Sequence, residues 1–237
     1  MNTGFSIKEA KQHGAFVVIP LVYSAFIIPI TQSILGLTGI SSGATAGTVQ
    51  ILSMIIALVT AAIFQNMIMR DNNKKLWGYF ACSTSAGHKG YMLTKFSFVL
   101  ACAFFNLIGS VAACTVYAGL TSRTGENSFS FTCKVGVMLF AFQLIARAID
   151  IPVIIRFGEK KGSIIKMIAV MVLILSYVVL VIIDPEASSL YSKLTGLIRS
   201  AGEAWFVPVL LGVGAAAYVL SYFVTCKLYI KGIENAE

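Results

Sequence analysis

Uncharged, largely apolar residues occur in long uninterrupted runs along this chain. Gly14–Met69 is a run of 56 residues without Asp, Glu, Lys or Arg, Phe96–Ser122 is a run of 27, and Ala204–Cys226 is a run of 23. A helix needs roughly 20 apolar residues to cross the hydrocarbon core of a bilayer. The pattern therefore predicts a membrane protein in which several helices cross the bilayer.

The longest run must contain two helices, because a single helix of that length would exceed the thickness of any bilayer. Gly, Ser and Thr gather between residues 38 and 48, and this composition marks the break. The whole pattern predicts an all-α fold with six spans at about 14–38, 48–69, 96–120, 135–157, 164–183 and 204–226. Because the longest segment between spans, 70–95, has 26 residues, chain 1–237 is predicted to be a single transmembrane domain.

The lysines and arginines between the spans set the predicted orientation. With the N-terminus inside the cell, thirteen of them, Lys95 included, lie in cytoplasmic segments, four lie in outer segments, and Arg147 lies within a span. Short cytoplasmic loops of membrane proteins are enriched in Lys and Arg. The sequence therefore predicts a multi-pass protein of the plasma membrane with both termini in the cytoplasm.

Composition and motifs exclude several functional classes. Apolar residues make up 57% of the chain and charged residues 12%, which is far from the composition of a soluble enzyme. The net charge of +8 comes from cations scattered through short loops, so no nucleic-acid partner is expected. The chain contains neither G-x-x-x-x-G-K-[ST] nor H-E-x-x-H. No nucleotide site, catalytic residues, metal site or resident cofactor is therefore expected in it.

Residues that could support metal or redox chemistry are few. The two histidines, His13 and His88, are placed in cytoplasmic segments, and Asp150 is placed as the only acidic residue within a span. The five cysteines are an odd number without a C-x-x-C spacing, so we interpret them as small buried side chains. A disulfide between Cys114 and Cys133 is an open possibility, because both cysteines could lie near the same membrane face.

Three segments stand out from the apolar background. In the 70–95 loop, a short helix at about 72–83 is predicted either to anchor in the membrane interface or to dock on a soluble partner. In the fourth span, Arg147 and Asp150 are three residues apart, so we expect an intramembrane ion pair that either gates or only stabilises the protein. An amphipathic outer helix is predicted at about 185–201.

Three stretches resemble the permease subunits of bacterial type-2 ABC exporters, in the small six-span class of the bacitracin and phenol-soluble-modulin exporter permeases. Residues 149–163, IDIPVIIRFGEKKGS, resemble the junction that follows the fourth span in that family. The 70–95 loop, which opens with Asp71 and closes at Lys95 and Phe96, resembles its coupling segment. The outer helix before the last span is the third stretch.

The resemblance implies an ABCG-like, type V permease fold and a role in transport. The chain would be the permease subunit of an ATP-driven exporter, paired with a second permease copy or homologue. Two copies of a separate ABC ATPase subunit would bind the ATP and Mg. The cargo would be amphipathic or hydrophobic, such as peptide toxins, antimicrobial peptides or antibiotics, and the host would be a Gram-positive bacterium.

The resemblance also implies functional positions. The helix at about 72–83 would contact the ATPase through Leu76, Trp77, Tyr79 and Phe80. The second and fifth spans would line the translocation path, which assigns six residues to it: Gln50, Ser53, Thr60, Gln65, Ser176 and Tyr177. Ordinary hydrogen bonding between helices is the alternative role for each of these six.

Two other functional classes compete with an exporter subunit. The substrate-binding membrane subunit of a vitamin importer also has six spans and a separate ATPase, and the polar outer segment 121–130 is compatible with that function. A membrane-embedded enzyme is the third class, and it lacks an evident set of catalytic residues in this sequence.

Overall fold

The computed structural model describes residues 3–37, 46–69, 75–120, 129–183 and 203–234, and the regular structure in these ranges is helical throughout. The helices are α1 (Thr3–Leu37), α2 (Ala46–Met69), α3 (Lys75–Ser83), α4 (Gly87–Leu120), α5 (Phe129–Ile183) and α6 (Glu203–Glu234). In the described residues, five stretches are long and apolar enough to cross a membrane: Gly4–Ile34, Val49–Met69, Gly87–Leu120, Phe129–Gly158 and Trp205–Tyr229. The prediction of an all-α, polytopic membrane protein is confirmed.

Large apolar side chains face outward on each of the five long helices. Phe26 on α1, Val59 on α2, Val116 on α4, Ile149 on α5 and Leu220 on α6 are all more than half exposed. Contiguous apolar surface of this extent is rare on soluble monomers. The exposed faces are therefore lipid-facing surface, and the polar side chains are gathered between the helices.

A turn at Gly158 divides α5 into two helical segments. Gly158 has a φ of 78°, a left-handed conformation that glycine adopts without steric cost. A Cβ atom on Gly162 would lie 3.3 Å from Cα of Ile154, although residues eight positions apart in a straight helix are separated by about 12 Å. The chain therefore folds back on itself here, between the fourth and fifth spans predicted from the sequence.

Small residues bring α1 and α4 close together. A Cβ atom on Gly109 of α4 would lie 2.9 Å from the carbonyl oxygen of Leu21 on α1, so the two backbones are nearly in contact. Ser24, the α1 residue that faces Gly109, donates its hydroxyl hydrogen to the same Leu21 carbonyl at 2.9 Å. Close approach through Gly and Ser is the usual way in which helices pack within a bilayer.

We expect the Gly109→Ala substitution to destabilise the protein by about 1–3 kcal/mol, because the added methyl group meets backbone atoms that cannot move aside without separating α1 from α4. The Gly119→Ala substitution on the same helix is the matched control, since nothing lies within 4 Å of its Cβ position. Thermal unfolding of the detergent-purified variants would measure the difference. Equal melting temperatures for the two variants would show that the helices are not in close contact at Gly109.

Candidate functional site

A buried cluster of charged groups lies at the end of the bundle that carries α3. Nζ of Lys95 on α4 is 2.9 Å from Oε2 of Glu9 on α1, and both side chains are fully buried. Nε2 of His13 lies 3.6 Å from the same carboxylate oxygen. Lys95 also donates a hydrogen bond to the carbonyl oxygen of Ile68 on α2, at 2.6 Å. One ammonium group therefore joins α1, α2 and α4.

This inner cluster contains three groups that the sequence places outside the predicted spans. Helix α1 begins at Thr3, well before the apolar run, so Glu9 belongs to the same helix as the first predicted span. His13 is 4% exposed, so it too is buried within the bundle. Lys95 is fully buried and is not a loop cation. The physical reason is that each charged group finds a partner on a neighbouring helix, which allows it to leave water.

A second charged cluster joins α2 to the first segment of α5. Nη1 of Arg147 lies 3.4 Å from Oδ2 of Asp150, so the ion pair predicted from the three-residue spacing is formed. The guanidinium group also donates from Nη1 to Oδ1 of Asn66 at 2.6 Å and from Nη2 to the carbonyl oxygen of Ala62 at 3.0 Å. Both of these acceptors lie on α2. Arg147 therefore has three acceptors around it, only one of which is charged.

The balance of charge in the two clusters limits what they can do chemically. Glu9 faces Lys95 and His13, and Asp150 faces Arg147, so each cluster places one carboxylate against basic side chains. Among the described residues, no group of three His, Cys, Asp or Glu side chains could hold a metal ion. The five cysteines are free thiols, so the disulfide between Cys114 and Cys133 is not formed. The clusters are suited to fastening helices together.

Helix α3 presents two aromatic side chains to the surroundings. It spans Lys75–Ser83 within the predicted 72–83 helix and packs against α4 and α6. Tyr79 and Phe80 are each 53% exposed, whereas Ala81 is fully buried. A tight turn leads into α4, where Gly87 has a φ of 60° and its N–H donates to the Thr84 carbonyl at 2.9 Å. The side chains of Leu76 and Trp77 lie outside the described part of the structure.

The polar residues predicted to line a path in the second span point toward other helices of the same chain. Nε2 of Gln50 donates to Oγ1 of Thr132 on α5 at 2.7 Å, and Nε2 of Gln65 donates to the Val99 carbonyl on α4 at 3.3 Å. Ser53 is buried and accepts a hydrogen bond from Gln32 of α1 at 3.1 Å. These three side chains therefore have partners within the bundle.

Thr60 differs from the other three, because it is only half-buried and its hydroxyl group donates to the Ala57 carbonyl of its own helix at 2.8 Å. Ser176 and Tyr177 belong to the helix after Gly158, and their side chains lie outside the described residues. The predicted outer helix at 185–201 also lies outside them. The assignment of these residues to a path stays a prediction.

Comparison with known sequences and structures gives one match. The model of a family described as ABC-2 family transporter protein matches residues 25–230. No curated protein and no solved structure matches the chain. The matched region contains α2 to α5 entirely, most of α6 and the last third of α1, so it includes both the α3 surface and the Arg147 cluster.

Proposed function

The chain belongs to the ABC-2 family of transporter proteins, and from that premise we propose that it is the permease subunit of an ATP-driven exporter. The observation that supports this proposal most strongly is the family match over residues 25–230. Membership in the family makes the chain a membrane component of the ABC exporter type, without chemistry of its own. It also favours an exporter subunit over the membrane subunit of a vitamin importer and over a membrane-embedded enzyme.

The proposed transporter contains two copies of an ABC ATPase and a second permease, either a copy of this chain or a homologue. The sequence supports a separate ATPase, because these 237 residues contain no phosphate-binding G-x-x-x-x-G-K-[ST] motif. ATP and Mg would therefore bind in the partner subunit. The permease would contribute the bilayer crossing and the surface through which the ATPase acts on it.

We assign the ATPase contact to α3, with Tyr79 and Phe80 as its exposed aromatic residues and Leu76 and Trp77 as further candidates. Exposed aromatic side chains on a short, firmly packed helix are suited to enter a pocket of a soluble partner. The position of α3 supports the transmission of force, because α3 connects α2 and α4, which the Lys95 cluster ties to α1. A push on α3 would then move three helices together.

The Phe80→Ala substitution should release the ATPase from the permease, because it removes the more apolar of the two exposed rings on α3. Phe104→Ala is the matched control, since Phe104 is 52% exposed on the lipid-facing side of α4 while Phe80 is 53% exposed. Tagged full-length chain purified from membranes in mild detergent would be probed for a co-purifying ABC ATPase. If both variants co-purify with equal amounts of the ATPase, α3 only anchors the chain in the membrane interface.

For the orientation, we propose cytoplasmic termini and a cytoplasmic α3 in the plasma membrane of a Gram-positive cell. Two native cysteines allow a test, because Cys82 on α3 is exposed and Cys133 near the start of α5 is half-buried. In intact cells, an impermeant maleimide should label Cys133 and should leave Cys82 unlabelled until the cells are lysed. Burial raises the pKa of the Cys82 thiol, so its labelling after lysis should quicken as the pH rises. Labelling of Cys82 in intact cells would show that α3 lies outside the cell and that the proposed orientation is wrong.

We propose amphipathic or hydrophobic compounds as cargo, in particular peptide toxins, antimicrobial peptides or antibiotics. The support comes from the resemblance to the small six-span exporter permeases. Thr60 is the one path candidate of α2 that neither is fully buried nor bonds to another helix, so it is the first position to vary for specificity. Cells that lose the chain should become more susceptible to bacitracin or to an amphipathic peptide, and wild-type chain should restore resistance. Unchanged susceptibility to both compounds would contradict this cargo class.

A further inference from the structure

A cavity lies between α2, α4 and α5, one helical turn along α5 from the Arg147 cluster. About 10 Å³ of it is open to the centre of a water molecule, which is room for about one water, and Met54, Leu107 and Phe140 supply much of its apolar wall. Three polar side chains also line it: Asn106 and Ser110 from α4 and Gln143 from α5. Neither the sequence analysis nor the proposed transport function gives these three residues a role.

The three polar side chains are buried and converge on this one space. Asn106 is 5% exposed, Ser110 4% and Gln143 3%. Oδ1 of Asn106, Oγ of Ser110 and Nε2 of Gln143 have no hydrogen-bond partner among the described residues. Buried polar atoms in proteins are nearly always hydrogen-bonded, and in a bilayer no bulk water is at hand to supply the bond. A ligand with its own donors and acceptors would satisfy all three.

We propose that this cavity is an internal hydration site, in which bound water accepts a hydrogen bond from Gln143 and donates hydrogen bonds to Asn106 and Ser110. The three groups supply one donor, one acceptor and one hydroxyl group that can be either, which matches the two donors and two acceptors of water. A buried water molecule typically makes about three such bonds. The proposal does not depend on what the protein transports.

Size and charge exclude larger or ionic ligands from the cavity. Pockets for drug-sized molecules measure about 300–1,000 Å³, whereas this cavity has room for about one water molecule. The three polar groups are neutral, so they offer a bare ion no countercharge. The nearest charged residue along α5 is Arg147, one helical turn from Gln143, and its Nε also has no hydrogen-bond partner among the described residues. Bound water would thus place a polar medium beside the intramembrane ion pair.

X-ray hydroxyl-radical footprinting would test the site, because radiolysis of a bound water oxidises the side chains next to it. Met54 lines the cavity and is 2% exposed, whereas Met92 is fully buried and is not among the lining residues. In the full-length protein in nanodiscs, Met54 should be oxidised several times faster than Met92. The Asn106→Leu/Gln143→Leu double variant should reduce the rate at Met54 to the rate at Met92. Ser110→Ala is a milder variant, and it should lower the rate at Met54 even if the double variant fails to fold.

Two results would overturn the proposal. Oxidation of Met54 in the wild-type protein as slow as that of Met92 would show that the cavity holds no water. Fast oxidation of Met54 that neither the double variant nor Ser110→Ala reduces would show that radicals reach Met54 from bulk solvent and that the polar side chains bind nothing there.

Discussion

Replacing Lys95 by methionine should destabilise the protein by about 3–5 kcal/mol, because the substitution leaves the Glu9 carboxylate buried without its ammonium partner. It also removes the hydrogen bond to the Ile68 carbonyl, the link that holds α2 in the cluster. Lys89→Met is the matched control, since Lys89 is an exposed lysine on the same helix. Thermal unfolding of the detergent-purified variants would give the difference.

A double variant distinguishes the effect of breaking the ion pair from the effect of changing the lysine side chain. The Glu9→Leu/Lys95→Met double variant removes both charges, so it should recover most of the stability that Lys95→Met loses. Glu9→Leu alone is measured as well. If its loss and that of Lys95→Met simply add in the double variant, the carboxylate and the ammonium group do not interact, and the inner cluster does not hold the helices as described.

The second large effect concerns the Arg147–Asp150 pair. The structure predicts that replacing Arg147 costs more stability than replacing Asp150. Arg147→Met should cost about 3–5 kcal/mol, because it removes the cation beside the buried Asp150 side chain and the hydrogen-bond donor to Asn66. Asp150→Leu should cost less, because the guanidinium group keeps Asn66 and the Ala62 carbonyl as acceptors. Unfolding temperatures of the two variants would show which one loses more stability. Arg156→Met is the control, since Arg156 is a half-buried arginine on the same helix.

A greater loss for Asp150→Leu than for Arg147→Met would contradict this arrangement. The Arg147→Met/Asp150→Leu double variant then addresses function. If the purified double variant is stable and transports normally, the pair only stabilises the membrane domain. If it is stable and inactive, the pair takes part in opening the path, and the α2 helix to which Arg147 is attached is the element that moves.

The sequence predicts best those features that depend on short stretches of chain. The apolar runs locate the long helices because the bilayer requires a minimum apolar length. The turn at Gly158 lies in a segment of glycine and charged residues between two apolar stretches, where the break was predicted. The Arg147–Asp150 pair is local as well, since three residues separate its members on one helix.

The inner cluster could not be predicted in the same way, because it joins residues that are far apart in sequence. Glu9 and Lys95 are separated by more than 80 residues, and the sequence analysis places Lys95 among the cations of the cytoplasmic segments. The four-residue spacing of Glu9 and His13 is the one local signal, since it places both side chains on one face of a helix. The Asn66 and Ala62 partners of Arg147 are equally remote in sequence.

ATP hydrolysis by the purified complex tests most directly whether this chain is the membrane subunit of an ATP-driven transporter. Tagged full-length chain would be isolated in mild detergent from membranes of the cells that make it, and phosphate release would be measured with and without Mg. We predict that an ABC ATPase co-purifies and that the preparation hydrolyses ATP only when Mg is present. A folded chain that emerges without any nucleotide-binding protein and without ATP hydrolysis would contradict this role.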